Sequence, residues 1–238
     1  MNFERAFKIG RNFNNTMLFN IEHQSVCEVQ DLGLIDYAAA YGIQKECVAR
    51  VIAGGAQALL LCEHPPVITL GRMTKPENIF LSKEELARKG VGLVSIDRGG
   101  DVTLHAPGQL VVYPILNLSQ SSRDLKLYMF KLEQVTIALL KTFDIVANRI
   151  LGKTGVFVGP DKLASLGIGV RKWVTYHGLG INVNTDLKLF ELIKPCGLGV
   201  RMTSLARIEG QMIDMGEVKQ RLIKSFGKEF GYEFRNTA

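Results

Sequence analysis

Strand-like segments fill most of the chain between residues 91 and 184, and short turns rather than crossover helices join most of them. A doubly wound parallel sheet needs a crossover connection, usually a helix, between neighbouring strands. Strands that follow one another through short turns pair mainly antiparallel. The sequence therefore predicts an α+β fold, with a mixed, largely antiparallel β-sheet flanked by helices.

Helix signals lie on both sides of this strand region and once within it. Asp36 and Asp124 are candidate N-caps for two long helices, and Ser82 with Glu85 forms a capping box ahead of a short one. The segment GEVKQRLIKSFGKEF has apolar residues at helical spacing and predicts a last amphipathic helix. Each of these helices has an apolar face that can cover the predicted sheet.

Length and composition allow a full hydrophobic core and limit the classes of partner. The chain has 238 residues, of which 47% are hydrophobic, and 29 basic against 23 acidic residues give a net charge of +6. This excess fits an acidic protein partner, a phosphate-bearing substrate or a nucleic acid. The sequence has no zinc-finger spacing, no RNA-binding aromatic strand and no block of basic residues, so we expect no nucleic-acid partner.

The chain shows no repeat and no low-complexity linker. Polar, aperiodic residues 1–25 predict a loose N-terminal arm, and residues 26–238 are expected to form one domain. The first residues contain no apolar segment of the kind that a secretory signal has, although their basic character leaves a transit peptide as an alternative. No apolar run approaches transmembrane length. We therefore expect a cytoplasmic protein without a membrane partner.

The four cysteines are spaced too widely for a zinc or redox motif, which makes a reducing compartment the default. Cys27, Cys47 and Cys62 lie on apolar helix or strand positions, where cysteine acts as a small hydrophobic residue. Cys196 instead lies in a predicted turn, between a proline and a glycine. The local pattern leaves three roles open for Cys196: a buried filler, a metal ligand or a nucleophile.

A glycine-rich segment, RGGDVTLHAPGQ, lies between apolar strands. Gly99 and Gly100 permit a positive φ and close backbone approach, so Arg98 and nearby backbone N–H groups are candidates for holding a carbonyl, carboxylate or phosphate. The polar side chains of His105 and Gln109 flank the turn that follows. The alternative is a plain β-hairpin with a glycine turn.

Two further segments carry candidate groups. In YHGLGINVN, His177 ends an apolar strand, and Gly178 and Gly180 leave room for a flat or extended ligand; a structural histidine is the alternative. In PDKLASLGIGV, Lys162 begins a strand, and a solvated surface lysine is the alternative. Lys162 matters for chemistry only where its amine reaches Cys196, because an ammonium group stabilises a thiolate.

Taken together, these motifs resemble the lipoyl(octanoyl) transferases, which move octanoyl groups from acyl carrier protein to lipoyl domains. The motifs occur in the family's order from residue 31 to about residue 232: HPPVITLGR, RGGDVTLHAPGQLVVYPILNL, GVFVG followed by DKLASLGIGVRKWVTYHGLGINVNTDL, and PCGLGVRMTSL. The resemblance implies the fold of the biotin and lipoate protein ligase catalytic domain. It also implies transfer through an acyl-cysteine thioester, with no cofactor and no metal.

The resemblance also implies roles for individual residues. Cys196 would be the acyl-thioester nucleophile, and Lys162 would lower the pKa of its thiol. The family's acyl-binding positions fall on three stretches of this sequence: Arg98, Gly99, Gly100, Asp101, Val102, Thr103, Leu104 and His105; Ser165, Leu166 and Gly167; and His177, Gly178, Leu179 and Gly180.

The resemblance implies partners as well. The donor would be acyl carrier protein, and the acceptors would be the lipoyl domains of 2-oxoacid dehydrogenases and the glycine cleavage H protein, served by a monomeric enzyme. Two other interpretations remain open. An ATP-dependent lipoate or biotin ligase shares the fold, but it needs no cysteine nucleophile. A non-catalytic acyl-binding sensor would need neither Cys196 nor Lys162.

The sequence departs from the family's usual residues at a few positions near the expected acyl site. We expect the departures to affect the preferred acyl chain length. The five positions are Ile68, Leu104, Ala106, Leu179 and Gly180.

Overall fold

The computed structural model describes residues 25–194 and 200–236. In chain order its strands are β1 (Ser25–Leu34), β2 (Gln57–Glu63), β3 (Val67–Leu70), β4 (Gly92–Ser95), β5 (Val102–His105), β6 (Gln109–Ile115), β7 (Asn148–Ile150), β8 (Lys153–Val158), β9 (Asp161–Arg171), β10 (Val174–Asn182) and β11 (Tyr232–Asn236). Its α-helices are α1 (Tyr37–Ile52), α2 (Lys83–Arg88), α3 (Leu125–Lys141), α4 (Leu205–Glu209) and α5 (Met215–Phe230).

Two sheets are present within the described residues. The larger has eight strands in the order β11-β1-β2-β6-β10-β9-β8-β7, and the smaller has three in the order β4-β3-β5. In the larger sheet β1 pairs in parallel with β11 and with β2, and the other neighbours pair antiparallel. The prediction of a mixed, largely antiparallel sheet in an α+β fold is confirmed.

Helices cover both faces of the larger sheet. The helices α3 and α5 pack on one face, where Leu110 and Val112 of β6 join the same buried cluster as Leu132 and Phe226. Helix α1 packs on the other face against a second cluster, which contains the alternate β6 residues, among them Val111. Side chains alternate between the two faces of a strand, so a strand covered on both faces reads as a continuous apolar run.

The helix N-caps predicted from the sequence are present. Asp36 accepts hydrogen bonds from two backbone N–H groups in the first turn of α1, and Asp124 does the same for α3. Ser82 and Glu85 form the complete capping box of α2. Each such cap contributes about 1 kcal/mol to helix stability. None of the described helices is long and apolar enough to cross a membrane.

Strand pairing in the smaller sheet excludes the plain β-hairpin that the sequence left open for the RGGD segment. Strands β4 and β5, which precede and follow the RGGD segment, do not pair with each other; β4 pairs in parallel with β3, and β5 pairs antiparallel with the other edge of β3. The connection through residues 96–101 therefore passes across the end of β3, and the plain hairpin is wrong. Gly99 and Gly100 therefore lie in a loop that crosses between strands, residues 96–101 (the crossing loop), and not in the turn of a hairpin.

Two strands were not predicted. β1 begins at Ser25, the last residue of the predicted loose arm, and β11 lies beside it at the edge of the larger sheet. Residues 1–24 lie outside the described part of the chain.

Candidate active site

A pocket opens beside the middle of β10, between the larger sheet, the start of α1 and the crossing loop. It encloses about 480 Å³ of space, including its open mouth. Its walls come from six parts of the chain: Tyr37; Arg98, Gly100 and Asp101; Val102, Thr103 and His105; Val111 and Tyr113; Ser165, Leu166 and Gly167; and His177, Gly178, Leu179 and Gly180.

Most of the residues that the resemblance assigned to acyl binding line this pocket. Gly99 and Leu104 do not: the Gly99 N–H donates to the Ile168 carbonyl at 2.9 Å, and the Leu104 side chain lies in the core beneath the smaller sheet. Ile68 and Ala106 lie in the same core. Of the five departures from the family pattern, Leu179 and Gly180 therefore remain as pocket-lining positions.

Tyr37, Val111 and Tyr113 line the pocket but were not predicted. Tyr37 follows the cap of α1 and lies far from the glycine-rich segments in sequence. Val111 and Tyr113 lie in an apolar strand sequence, which predicts ordinary core residues. In the structure both are at most 2% exposed. The period-2 alternation of β6 places them on the α1 face, but the sequence does not indicate that this face contains a pocket.

The glycines of the pocket are needed where protein groups approach one another closely. A Cβ on Gly178, whose φ is +159°, would lie 2.2 Å from the Val112 carbonyl oxygen. A Cβ on Gly180 would lie 2.8 Å from the Gln109 side-chain oxygen, and one on Gly167 would lie 2.9 Å from Cδ of Arg98. These glycines therefore let neighbouring strands and side chains close around the pocket.

Arg98 is buried and holds the crossing loop in place. Its Nη2 donates to the backbone oxygen of Thr69 at 2.9 Å and to Thr69 Oγ1 at 3.0 Å, and its Nη1 donates to the Gly99 carbonyl at 3.0 Å. A buried guanidinium needs such acceptors, because an unsatisfied charged donor is costly. Arg98 thus joins β3 to the loop and presents its stem to the pocket.

His177 is fixed in an unusual backbone conformation by its partners. Its φ is +55°, which is uncommon for a residue other than glycine, and its backbone N–H donates to Gln44 Oε1 at 2.8 Å. Its Nε2 lies 3.0 Å from Asp97 Oδ1. Burial lowers the pKa of His177, partly offset by Asp97, so the imidazole is neutral at pH 7.

Asp97 gathers three donors on the rim of the same site. It accepts hydrogen bonds from His177, from Tyr41 at 3.0 Å and from Tyr176 at 2.7 Å. Burial raises the pKa of the Asp97 carboxyl, but the bonds from His177, Tyr176 and Tyr41 outweigh it and bring the pKa to about 2. The ionised carboxylate of Asp97 therefore holds the crossing loop in place immediately before Arg98.

His105 is buried and uncharged in the pocket wall. Its Nδ1 lies 2.6 Å from Gln109 Oε1. Burial is the main cause that lowers the pKa of His105 to about 3, with the nearby His64 adding to it. Gln109 Nε2 donates to the Leu104 carbonyl at 3.2 Å, so Gln109 Oε1 is the acceptor and His105 Nδ1 carries the proton.

Lys162 lies inside β9 and is 0% exposed. The alternative of a solvated surface lysine is therefore wrong. Its backbone N–H donates to the Arg201 carbonyl at 2.8 Å, and its carbonyl accepts from the Thr203 N–H at 2.9 Å. On β8 the paired residue is Phe157, and the lysine side chain extends over Gly155, where a Cβ would lie 2.5 Å from Cε of Lys162 and 3.2 Å from its Nζ. The absence of a side chain at residue 155 makes room for the lysine stem.

Cys196 lies outside the described residues. Its flanks are described: the one before it attaches to the pocket wall through Asp101, and the one after it attaches to Lys162, which is not among the residues that line the pocket. Before it, the Lys194 N–H donates to the Asn78 carbonyl at 2.8 Å, and Asn78 Nδ2 donates to Asp101 Oδ2 at 2.5 Å. After it, Arg201 pairs with the backbone of Lys162, as given above.

The other three cysteines are buried and unreactive in character. Burial raises the pKa of Cys27 to about 12 and also raises the pKa values of Cys47 and Cys62. Their prediction as small hydrophobic residues is confirmed, since each is at most 8% exposed. Within residues 25–194 and 200–236, no group of three or more His, Cys, Asp or Glu side chains is arranged to hold a metal ion.

Comparisons with known proteins identify relatives of this chain over most of its length. The family model for the lipoyl protein ligase A/B catalytic domain matches residues 36–227. An octanoyltransferase of Maridesulfovibrio salexigens is 46% identical over 205 residues, which cover 85% of this chain and 96% of that protein. An octanoyltransferase of Syntrophotalea carbinolica is 48% identical, over 84% of this chain and 92% of that protein.

Solved structures show the fold. A lipoate protein ligase of Thermoplasma acidophilum superposes with a TM-score of 0.69 at 15% identity, covering 90% of this chain and 86% of that one. A lipoate-protein ligase A bound with ATP superposes with a TM-score of 0.70 at 15% identity, covering 90% and 88%. At this identity the likeness concerns architecture alone. The sequence relatives go further: the chain belongs to the octanoyltransferase family of acyltransferases, within the lipoyl protein ligase A/B catalytic domains.

Proposed function

We propose that this octanoyltransferase takes its acyl group from acyl carrier protein, holds it as a thioester on Cys196, and passes it to a lysine of a lipoyl domain. The observation that carries the proposal is the burial of Lys162 against the chain segment that follows Cys196. Arg201, which bonds to the Lys162 backbone, is five residues after Cys196. Five extended residues span at most about 18 Å, a reach that allows the two side chains to meet.

Lys162 has a clear task in this scheme. A positive charge beside a thiol favours the thiolate, which is the nucleophilic form. A charge that is fully removed from water acts more strongly than one in solvent, because the local dielectric constant is lower. The buried ammonium of Lys162 therefore stabilises the Cys196 thiolate and orients it.

The reaction then runs in two balanced steps. In the first, Cys196 Sγ attacks the carbonyl carbon of the octanoyl thioester and the bond to the carrier sulfur breaks; Lys162 passes to the leaving carrier thiolate the proton that it took from Cys196, and is then a neutral amine. In the second, the acceptor amine attacks the same carbon and the bond to Cys196 breaks. Lys162 takes a proton from the amine in this step, and the product is an amide.

The pocket suits an acyl tail. Val102, Val111, Leu166 and Leu179 provide apolar surface, while the neutral His105 adds no charge to the wall. Apolar burial of about 0.8 kcal/mol per CH₂ would hold the tail in place.

The partners and the compartment belong to the same proposal. The donor is acyl carrier protein, and the acceptors are the lipoyl domains of 2-oxoacid dehydrogenases and the glycine cleavage H protein. The net charge of +6 favours acidic partners. We place the reaction in the cytoplasm, catalysed by a monomer. The free thiols of Cys27, Cys47 and Cys62 agree with a reducing compartment.

The test is the mass of the intact protein after incubation with octanoyl-acyl carrier protein and no acceptor. We expect one added octanoyl group, located by peptide mapping on the peptide that contains Cys196 and released by hydroxylamine. Transfer to a lipoyl domain without any acyl-enzyme would replace the covalent mechanism with direct transfer. No acyl-enzyme and no transfer, with activation of free octanoate by ATP instead, would indicate a ligase.

Substitution of Gly155 by alanine tests the space around Lys162. The new Cβ would lie 2.5 Å from Cε of Lys162 and 2.6 Å from the Ala164 carbonyl oxygen, at a φ of +130°. We expect a loss of about 1–3 kcal/mol in the free energy of unfolding, from overpacking, together with a lower acylation rate, because the amine is displaced. Urea unfolding and single-turnover acylation measure the two effects.

Gly159→Ala is the matched control. Gly159 follows the same strand and also has a positive φ, of +57°, but a Cβ at this position would have no atom of the described residues within 4 Å. We expect a loss of stability of about 1 kcal/mol from the backbone alone and an unchanged acylation rate. Equal acylation rates in the two variants would show that Gly155 does not position Lys162.

A further inference from the structure

A chain of buried polar side chains runs from the pocket wall to the segment that follows Cys196. His105 Nδ1 donates to Gln109 Oε1 at 2.6 Å, Gln109 Nε2 donates to Asn182 Oδ1 at 2.9 Å, and Asn182 Nδ2 donates to the Thr203 carbonyl at 3.0 Å. Gln109 and Asn182 are 2% and 1% exposed. The chain crosses from β5 through β6 and β10 to residue 203.

The direction of every bond in this chain is fixed. The last acceptor is a backbone carbonyl, so Asn182 must turn its amide nitrogen toward Thr203 and its oxygen toward Gln109. Gln109 must then present its nitrogen to Asn182 and its oxygen to His105. A flipped amide at either position would place two acceptors or two donors against each other. The arrangement therefore has a single low-energy state.

The end of the chain is connected to Lys162 from the other side. Thr203 donates its N–H to the Lys162 carbonyl at 2.9 Å, and residues 162 and 202 form an isolated parallel bridge. Residues 201–203 are thus held by the Lys162 backbone through one partner and by Asn182 through another. Arg201 lies five residues after Cys196 in the sequence.

We propose that Asn182, oriented by Gln109, is a positioning residue that holds residues 201–203 against the backbone of Lys162, and so fixes the position from which the lysine extends its amine. The proposal rests on the proposed roles of Cys196 and Lys162. Asn182 does not line the pocket and has no contact with the acyl group in this scheme. It acts by holding the Thr203 carbonyl, while the Thr203 N–H bonds the Lys162 carbonyl, so that the backbone of Lys162 keeps one position.

The burial of these amides argues for positioning. The Asn182 side chain is buried, and its hydrogen-bond partners among the described residues are the Gln109 amide nitrogen and the Thr203 carbonyl. A polar chain in such a place gives little net stability, because each bond replaces bonds to water. It gives one defined geometry, which is what a pair of catalytic groups needs.

The test is Asn182→Leu in the full-length protein, a change that removes both bonds and keeps the approximate volume. The main readout is the pH dependence of Cys196 alkylation by iodoacetamide, followed on the peptide that contains Cys196. We expect the midpoint of alkylation to move to higher pH, because the thiolate loses its ordered ammonium partner. Single-turnover acylation should slow by about 10²-fold, the usual cost of a misplacement near 1 Å, while KM for octanoyl-acyl carrier protein stays within about twofold.

Asn184→Leu is the matched control. Asn184 lies two residues further along the chain, and its side chain bonds the Ile213 carbonyl at 2.8 Å and the Ile213 N–H at 2.9 Å. The Asn184→Leu variant therefore loses the same kind of side-chain hydrogen bonds, but to the loop before α5 and not to the segment that follows Cys196. We expect a lower unfolding midpoint with the wild-type alkylation profile. If Asn182→Leu does not fold, Asn182→Ser, whose side chain is too short to bridge, replaces it.

An alkylation midpoint that is unchanged in a folded Asn182 variant would overturn the proposal, and so would an equal shift in the Asn184 variant. Failure of the proposed function has a different signature. In that case wild-type protein forms no acyl-Cys196, whatever the alkylation profile of the variants shows.

Discussion

Cys196→Ser is expected to abolish octanoyl transfer while leaving the fold intact. A serine hydroxyl remains protonated at neutral pH, and a lysine ammonium that stabilises a thiolate cannot ionise it to a useful extent. We expect single-turnover transfer to fall by at least about 10³-fold, as loss of a covalent nucleophile commonly does. The measurement is transfer of octanoate to a lipoyl domain by mass, with thermal unfolding to confirm the fold.

Cys62→Ala is the control for this experiment. Cys62 is 0% exposed, and its Sγ lies 3.5 Å from His64 Nε2, beneath the pocket floor. Burial raises the pKa of its thiol, so it is protonated at working pH. We expect a modest loss of stability and nearly wild-type transfer. A large loss of transfer in Cys62→Ala, with activity retained in Cys196→Ser, would move the nucleophile to Cys62.

Lys162→Met is expected to produce the second largest loss. Methionine has a similar length without the charge, so the variant removes the cation and keeps most of the packing. The lysine cation lowers the pKa of the Cys196 thiol in our scheme, and its removal raises that pKa. At pH 7 a smaller fraction is then thiolate, and acylation should fall by about 10²-fold or more, the usual scale for a lost acid-base group.

The pH profile distinguishes this mechanism from simple damage to the fold. As pH rises, the Cys196 thiol of the variant ionises, so its acylation rate should approach that of wild type. Urea unfolding is measured alongside, because removal of one member of a buried polar contact lowers stability whether or not that group takes part in catalysis. Lys153→Met, on the neighbouring strand β8, is the control and should transfer normally. A Lys162→Met enzyme with the wild-type rate and profile would remove Lys162 from the mechanism.

The parts of the structure that depend on local chemistry could be predicted from the sequence. Asp36, Ser82 and Asp124 cap helices through bonds to residues two or three positions away, so their signals are complete within a few residues. The strand region predicted the sheet type for the same reason, since short turns limit how strands pair.

The burial of Lys162 could not be predicted from its own segment. It depends on the missing side chain at Gly155 and on residues 201–203, which pair with the lysine backbone. Local composition favoured a surface lysine, and only the resemblance to a family indicated otherwise. Tyr37 was not predicted to line the pocket for a related reason, because it lies on helix α1, far from the glycine-rich segments in sequence.

The parallel pairing of β1 with β11 has a consequence for synthesis of the protein. Ser25 pairs with Tyr232 and Val29 with Asn236, so the two strands are separated by about 200 residues of chain. On the ribosome, β1 emerges early and can pair on one side with β2, but its other edge has no partner until β11 follows. An uncovered strand edge is a template for association with other chains. Completion of this sheet therefore waits for nearly the whole described chain, and the edge of β1 that β11 will cover is open to pairing with another chain during that interval.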